Sequence, residues 1–319
     1  MYTSFYRLRG RPFQLTPDHR FFFEGQSHRR AIAYLTYGLS QREGFVVITG
    51  DVGTGKTILM EHLFSKLQEE RFVTGKVVTT QVDSDNLLRM VAAAFGVKHE
   101  GDDKATVLKR VETFLVDSYR SDTRALLVID EAQHLSDGSL EELRMLSNYQ
   151  VGGFPLLQTF LLGQTHFRRT IAGAGLEQLR QRVIASHHLQ PLGREETRKY
   201  IEHRLRLVGW QNDPAFAVGA FDMIYEETGG VPRRINLLCD RLLLFGFLEE
   251  RHEIDESVIK DVIMDMHREN LPSSSTACST AVHSAGGAPS SASETTASAS
   301  DLDRLAERVT VLERHIKAQ

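Results

Sequence analysis

The chain has 319 residues, enough for about two domains at roughly 100–200 residues each. Apolar residues make up 41% and charged residues 25%, the balance of a globular protein. The formal charge of −4 shows no overall basic excess of the kind that favours nucleic-acid binding. Two distant cysteines, Cys239 and Cys278, exclude a disulfide framework and a cysteine-rich zinc site. A secretion signal and an apolar run of about 18 residues, as in a membrane span, are both missing.

Short apolar, β-branched runs alternate with helical stretches over the first 190 residues or so, which predicts an α/β fold. The runs predicted to form strands are 45–49, 76–82, 125–129, 157–162 and 184–189. Some of them, such as LLVI, are apolar throughout, as in strands covered on both faces. We therefore expect a five-stranded parallel sheet with helices on both of its faces.

Residues 50–57, GDVGTGKT, fit the phosphate-loop pattern G-x-x-x-x-G-K-[ST] completely. They follow a predicted strand and open a predicted helix, where backbone N–H groups and the helix N-terminus favour a phosphate. Lys56 is expected to reach the β- and γ-phosphates, and the Thr57 hydroxyl to be a ligand of Mg²⁺. The residues predicted to contact the nucleotide are Gly50, Asp51, Val52, Gly53, Thr54, Gly55, Lys56, Thr57, Ile58 and Asp130.

A second motif, LLVIDE, ends in the two acids Asp130 and Glu131. A buried strand exposes such acids at its carboxyl edge, where open α/β sheets bind ligands. Asp130 is predicted to hold Mg²⁺ with Thr57, directly or through water. Glu131 has no phosphate to pair with, so we expect it to polarise an attacking water. The alternative is a pair of helix-capping acids that follow a strand.

From residue 194 onward the pattern is purely helical. Helices are predicted over 195–208, 214–228, 231–250 and 255–268, with Gly229-Gly230 between the second and the third. We expect a nucleotide-binding α/β domain over residues 1–191, followed by a small all-helical lid domain over residues 192–270.

The last part of the sequence is different in composition. Residues 273–300 contain 10 Ser, 7 Ala and 4 Thr, so we predict a disordered linker over 271–300. Residues 301–319 are predicted to form a short amphipathic helix, because apolar residues at 302, 305, 309, 312 and 316 follow coiled-coil spacing. Two and a half heptads are too few to be stable alone, so either a partner completes this seam or the helix is marginal.

The phosphate loop, the Asp-Glu strand end and the helical part together resemble an AAA+ ATPase, over roughly residues 1–268. More narrowly, the chain resembles secretion ATPases of the general secretion pathway protein A (ExeA) type. The segments that carry this resemblance are FYRLRGRPFQLTPDHRFFF, EGFVVITGDVGTGKT, LLVIDEAQHL, FLLGQTHFR, LRQRV and GGVPRRIN. The N-terminal segment and EGFVVITG are most similar to the ATPase associated with exosortase (PEP-CTERM) systems.

The resemblance implies roles for further residues. Gln164 occupies the sensor 1 position, where many AAA+ proteins have Asn or Thr. Arg182 is expected to act as an arginine finger on a neighbouring subunit, with Arg180 as the alternative. Arg233 matches sensor 2, which reads the γ-phosphate, and Arg234 is its neighbouring alternative. Residues 1–44 resemble the segment that borders the adenine.

The resemblance also implies ATP and Mg²⁺ as cofactors, and a homo-oligomer, either a ring or an arc. The expected partners are components of envelope secretion or exopolysaccharide export. The expected location is the cytoplasm or the inner-membrane surface, with indirect membrane contact through residues 302–316.

Three other functions compete with this one. A DNA-handling ATPase of the initiator or transposition type would use basic pairs such as Arg168-Arg169. A nucleotide-switched adaptor would show little turnover. A small-molecule kinase is the weakest alternative, since no acceptor-pocket motif occurs.

Overall fold

The computed structural model describes residues 1–67, 72–79 and 83–270. The predicted linker and the predicted tail helix lie outside these residues. The strands are β1 (Phe45–Gly50), β2 (Phe72–Val78), β3 (Arg124–Asp130), β4 (Gln150–Val151), β5 (Phe154–Pro155), β6 (Leu157–Gly163), β7 (Val183–Leu189), β8 (Ala215–Phe216) and β9 (Glu253–Ile254). The α-helices are α1 (Tyr2–Phe5), α2 (Gln26–Gln41), α3 (Lys56–Leu67), α4 (Ser84–Ala94), α5 (Lys104–Arg120), α6 (Asp137–Leu146), α7 (Phe167–Ala172), α8 (Glu177–Gln181), α9 (Arg194–Leu207), α10 (Val218–Thr228), α11 (Pro232–Leu248) and α12 (Glu256–Asn270).

Five strands form the main sheet in the order β2-β3-β6-β1-β7, and every pairing in it is parallel. This confirms the predicted P-loop type of fold. Thr49 near the end of β1 lies opposite Gly163 at the end of β6. The carboxyl ends of the central strands therefore meet at one edge, where the two sequence motifs also lie.

Helices cover both faces of this sheet. Successive side chains of β3 point to opposite faces, so they pack against two different sets of helices. Leu127 and Ile129 belong to the apolar cluster that includes residues of α4, α5 and α6. Leu126 and Val128 belong to the cluster formed with α2 and α3. All four side chains are completely buried, so β3 holds its carboxyl end firmly between two layers.

Strand β2 differs from its prediction. It pairs with β3 from Phe72 opposite Arg124 to Val78 opposite Asp130, so it begins four residues before the predicted start at Lys76. The sequence pattern did not indicate this start, because Thr74, Gly75 and Lys76 interrupt the apolar run. Pairing with the buried neighbour outweighs the local preference. The predicted end, over 80–82, lies outside the described residues.

A third apolar cluster joins α9, α10, α11 and α12 into the lid. The N-terminal residues Tyr2, Tyr6, Leu8 and Phe13 belong to this cluster, although the sequence assigned residues 1–44 to the α/β domain. The Tyr2 hydroxyl donates a 2.6 Å hydrogen bond to the Asp240 carboxylate on α11. The start of the chain therefore packs on the lid.

The lid contains a short strand pair as well as helices. β8 and β9 pair in parallel, within a segment where the sequence predicted a helix from Pro214. The amides of Ala215 and Ala217 donate to the carbonyls of His252 and Ile254, so α10 begins only at Val218. Among the helices that the structure describes, none is long and apolar enough to cross a membrane.

Gly229 and Gly230, between α10 and α11, have φ angles of 60° and 70°. A Cβ on Gly230 would lie 1.9 Å from the Leu192 carbonyl oxygen, whereas one on Gly229 would meet nothing within 4 Å. We expect Gly230→Ala to lower the free energy of unfolding by at least about 3 kcal/mol, because the backbone must shift. The matched control Gly229→Ala should cost about 1 kcal/mol, from its left-handed backbone alone. Urea denaturation measures both, and equal losses would contradict the close approach.

Candidate nucleotide-binding site

The phosphate loop lies between β1 and α3, as the sequence predicts. Gly53 and Gly55 have φ angles of 86° and 97°, which residues with a Cβ rarely adopt. The Lys56 ammonium donates to the carbonyl oxygens of Gly50 at 2.8 Å and Asp51 at 3.0 Å. The loop therefore curls around its own lysine.

Lys56 is only 6% exposed. Burial lowers the pKa of its ammonium, and the neighbouring carboxylates of Glu131, Asp130 and Asp51 partly offset this shift. A buried cation with a destabilised charge gains free energy from an anion placed beside it. The loop is thus electrostatically suited to phosphate.

The two sequence motifs lie side by side. The Thr57 hydroxyl donates a 2.9 Å hydrogen bond to Oδ2 of Asp130. Oδ1 of Asp130 accepts from the backbone N–H of Glu131, also at 2.9 Å. The Thr79 hydroxyl donates to the backbone carbonyls of Asp130 and Glu131, which ties the end of β3 to the segment after β2.

A hydroxyl and a carboxylate oxygen in contact are a suitable donor set for Mg²⁺, which prefers oxygen ligands and retains several waters. Thr57 and Asp130 are therefore the residues that would hold it. When bound, the metal would neutralise charge on the phosphate oxygens.

Glu131 is held by two side-chain amides. It has a left-handed φ of 55°, and its Oε2 accepts from Nε2 of Gln133 and, at 3.3 Å, from Nε2 of Gln164. Burial alone would raise the pKa of this carboxyl, but the two amides and the Lys56 charge bring it below its ordinary value. Glu131 is therefore ionised at neutral pH, as a group that accepts a proton from water must be.

Gln133 was missed by the sequence analysis. Its Oε1 accepts from the backbone N–H of Gln164 at 2.9 Å, while its Nε2 donates to Glu131. One amide thus connects the acid at the end of β3 to the end of β6. The only sequence signal was its place two residues after the acid pair.

The lid closes over the phosphate loop. The backbone N–H of Arg233 donates to the Gly53 carbonyl at 3.2 Å. Arg233 lines a 310 Å³ cavity, and Arg234 does not. The other residues that line this cavity are Gln14, Leu15, Thr16, Pro17, Val52, Gly53, Gly55, Lys56, Thr57, Ile58, Glu131, Tyr200, Arg204, Pro232 and Asn236.

Arg182 lies away from this cavity. It precedes β7, whose first residue pairs with Phe45 at the start of β1, whereas the phosphate loop follows the end of β1. A six-residue strand separates the two places by roughly 17 Å. The Arg182 guanidinium donates to the side chains of Ser147 and Asn148. Arg180 donates to the Ala172 carbonyl at 3.1 Å. Neither arginine reaches the nucleotide site of its own chain.

His28 supports the phosphate loop from behind. This residue is 4% exposed, its Nε2 bonds the Thr54 carbonyl at 3.1 Å, and its Nδ1 has no partner among the described residues. Burial lowers the pKa of its imidazole, although the Thr54 carbonyl and Glu196 oppose this shift. Nε2 must donate to this carbonyl, so the neutral form that fits the site is the Nε2–H tautomer.

We therefore expect acid to weaken the fold through His28. Below about pH 6.5 the unfolded chain binds a proton at this residue before the folded chain does, so stability falls as pH falls. His28→Gln keeps a donor at a similar reach and cannot be protonated. Urea denaturation from pH 8 to pH 5 should show a smaller loss for the variant than for the wild type. Identical losses would mean that another group is responsible.

The fold and the site together define a class: a P-loop ATPase domain of the AAA type. Residues 39–171 match the family model described as an AAA domain. Beyond this class, the chain is 34% identical over 255 residues to general secretion pathway protein A of Aeromonas hydrophila. The match covers 80% of this chain and 46% of that protein, so the chain spans about half the length of its curated relative.

Solved structures show the same fold. The ORC2 protein of Aeropyrum pernix, in its ADPNP–ADP complexes, has a TM-score of 0.58 at 16% identity, covering 82% of this chain and 74% of that one. The ORC1 protein of the same organism, in complex with DNA, has a TM-score of 0.60 at 16% identity, covering 82% and 70%.

Proposed function

We propose that this chain binds ATP with Mg²⁺ and uses its hydrolysis to drive conformational switching or assembly in an envelope secretion system. The proposal depends mainly on the hydrogen bonds that connect Thr57, Asp130 and Glu131 beneath the lid. The Thr57 hydroxyl donates to Oδ2 of Asp130 at 2.9 Å, and the backbone N–H of Glu131 donates to Oδ1. Lys56, Thr57 and Glu131 line one cavity and Asp130 bonds Thr57, which supports the proposal of a phosphate cradle, a metal-binding oxygen pair and a base at the same site.

In the proposed reaction, Lys56 and the loop amides hold the β- and γ-phosphates. Glu131 orients water and accepts its proton as the water oxygen attacks the γ-phosphorus. Gln164 fixes the Glu131 carboxylate and can also orient the water through its amide. The bond from the γ-phosphorus to the bridging oxygen breaks, and ADP and phosphate leave.

The lid would transmit the result. Arg233 is the second residue of α11, and its backbone N–H donates to the Gly53 carbonyl. Loss of the γ-phosphate removes an anion from the guanidinium of Arg233, which changes the relative free energies of closed and open lid positions. A finger from a neighbour, Arg182, would couple the same event to a second subunit in a ring or arc.

The secretion role is supported by the identity to general secretion pathway protein A. The narrower assignment to an exosortase-associated system depends only on the N-terminal segment and EGFVVITG. We expect the chain to act in the cytoplasm or at the inner-membrane surface. Its partners there would be components of envelope secretion or polysaccharide export. Residues 302–316, outside the described residues, are the proposed docking segment.

The test is the rate of ATP hydrolysis per subunit against protein concentration, with mass measured in ATP and in ADP. The rate per subunit should rise with concentration, in parallel with nucleotide-dependent assembly. A pure oligomer that never consumes ATP would overturn the proposal and would favour a nucleotide-switched adaptor.

One observation favours a second candidate, a DNA-handling ATPase: the chain shares its fold with the ORC1 protein of Aeropyrum pernix, which was solved in complex with DNA. Arg168 and Arg169 are exposed on α7, and a few such phosphate contacts give salt-dependent binding. Titration of duplex DNA at 50 and 200 mM salt distinguishes the two. Tight binding with a steep salt dependence would favour the DNA-handling function.

A further inference from the structure

Three lid residues form a buried hydrogen-bond chain that ends in the nucleotide cavity. Arg204, 4% exposed, donates through Nη1 to the Tyr200 hydroxyl at 2.8 Å. The Tyr200 hydroxyl donates to Oδ1 of Asn236 at 2.8 Å. All three side chains line the cavity, and Asn236 is 7% exposed.

The chain determines which way the Asn236 amide points. A guanidinium has only donors, so the Tyr200 oxygen must accept from Arg204 and must give its single proton to Asn236. Asn236 therefore turns its oxygen toward Tyr200 and its NH₂ group away from it. No described residue accepts a hydrogen bond from that NH₂ group, which carries two donors.

The lining of this cavity also includes apolar residues. Leu15, Pro17, Ile58 and Pro232 line it. A cavity that combines apolar wall residues with an oriented amide donor suits a flat heteroaromatic ring that carries an acceptor on its edge. The ring nitrogens of a purine are such acceptors.

Arg204 also fixes the N-terminal segment that lines this cavity. Its Nε donates to the Pro12 carbonyl at 2.6 Å, and its Nη2 donates to the Gln14 carbonyl at 3.4 Å. These bonds hold the segment that carries Leu15 and Pro17 against α9. One buried guanidinium thus positions both the N-terminal segment and, through Tyr200, the amide.

We propose that Asn236 recognises the nucleobase by donating its amide N–H to a ring nitrogen of the adenine. Arg204 and Tyr200 are positioning residues that fix the orientation of this amide. The inference rests on the proposed function, because it requires a nucleotide in this cavity. It adds a base-recognition residue on α11, one turn beyond Arg233.

The test measures the affinity of ADP and of its 1-deaza, 3-deaza and 7-deaza analogues by calorimetry. In the wild type, one analogue should bind about fivefold more weakly than ADP, since a neutral hydrogen bond contributes on the order of 1 kcal/mol. Asn236→Ala should weaken the binding of ADP by a similar factor, and this variant should bind ADP and that analogue with equal affinity. Tyr200→Phe, which frees the amide to rotate, should reduce the same discrimination.

The ratio of two affinities within one variant does not depend on the folded fraction, and urea denaturation checks that each variant folds. If Asn236→Ala does not fold, Asn236→Asp provides the same comparison, since its carboxylate lacks the donor. The inference would be overturned if one deaza analogue still bound more weakly than ADP without the Asn236 amide, or if no analogue bound more weakly than ADP in the wild type. Either result would leave the proposed ATP hydrolysis standing. Failure of the wild type to bind ADP would instead overturn the proposed function and this inference with it.

Discussion

Glu131→Gln is expected to leave nucleotide affinity within a few-fold of the wild type and to lower kcat by about 10²–10⁴. The amide has nearly the shape of the carboxylate, so its oxygen can still accept from Gln133 and Gln164. It cannot take a proton from water, which is the role proposed for Glu131. Calorimetric ATP binding and steady-state phosphate release measure the two quantities on the same sample.

The matched comparison is Lys56→Ala, which removes the buried ammonium instead of the base. It should weaken ATP binding by about 10²-fold, because charge-assisted bonds to the phosphates are lost. The two variants thus separate binding from turnover. If both lost affinity equally, the role of Glu131 in activating water would be wrong.

The sequence predicted the sheet and its functional edge because their signals are local. GDVGTGKT and the Asp-Glu pair each follow an apolar run, and parallel strands bring their carboxyl ends to one edge. The 2.9 Å contact of Thr57 with Asp130 spans 73 residues, yet it follows from strand order alone once the sheet is assumed.

Other parts of the site could not be read from local pattern. His28 and Gln133 act through contacts with backbone groups or acids that no spacing rule connects to them. The packing of Tyr2 on α11 spans 238 residues and has no periodic signal. The chain Arg204–Tyr200–Asn236 joins two helices whose relative position only tertiary packing determines.

We expect the second large effect from substitution of Arg182, because this residue is proposed to contact the nucleotide of a neighbouring subunit. Arg182→Ala should lower the ATPase rate by about 10³–10⁵, the range for a trans-acting arginine, although this residue lies roughly 17 Å from its own phosphate loop. Its hydrogen-bond partners in its own chain, Ser147 and Asn148, are neutral side chains, and its charge also acts on the nearby Glu141 carboxylate, whose pKa it helps to lower. Arg180→Ala is the matched control and should have a small effect.

Mixing subunits of two variants distinguishes an arginine finger from a purely structural role of Arg182. Glu131→Gln subunits cannot turn over ATP, but they should bind it, assemble and present Arg182 to their neighbours. Adding them to Arg182→Ala subunits should therefore restore activity at the intact sites, whereas the double variant Glu131→Gln, Arg182→Ala should restore none. The restored rate should peak at an intermediate ratio, since each active site then needs one neighbour of the other kind. If the two donors restore equal activity or none, Arg182 does not act across the interface.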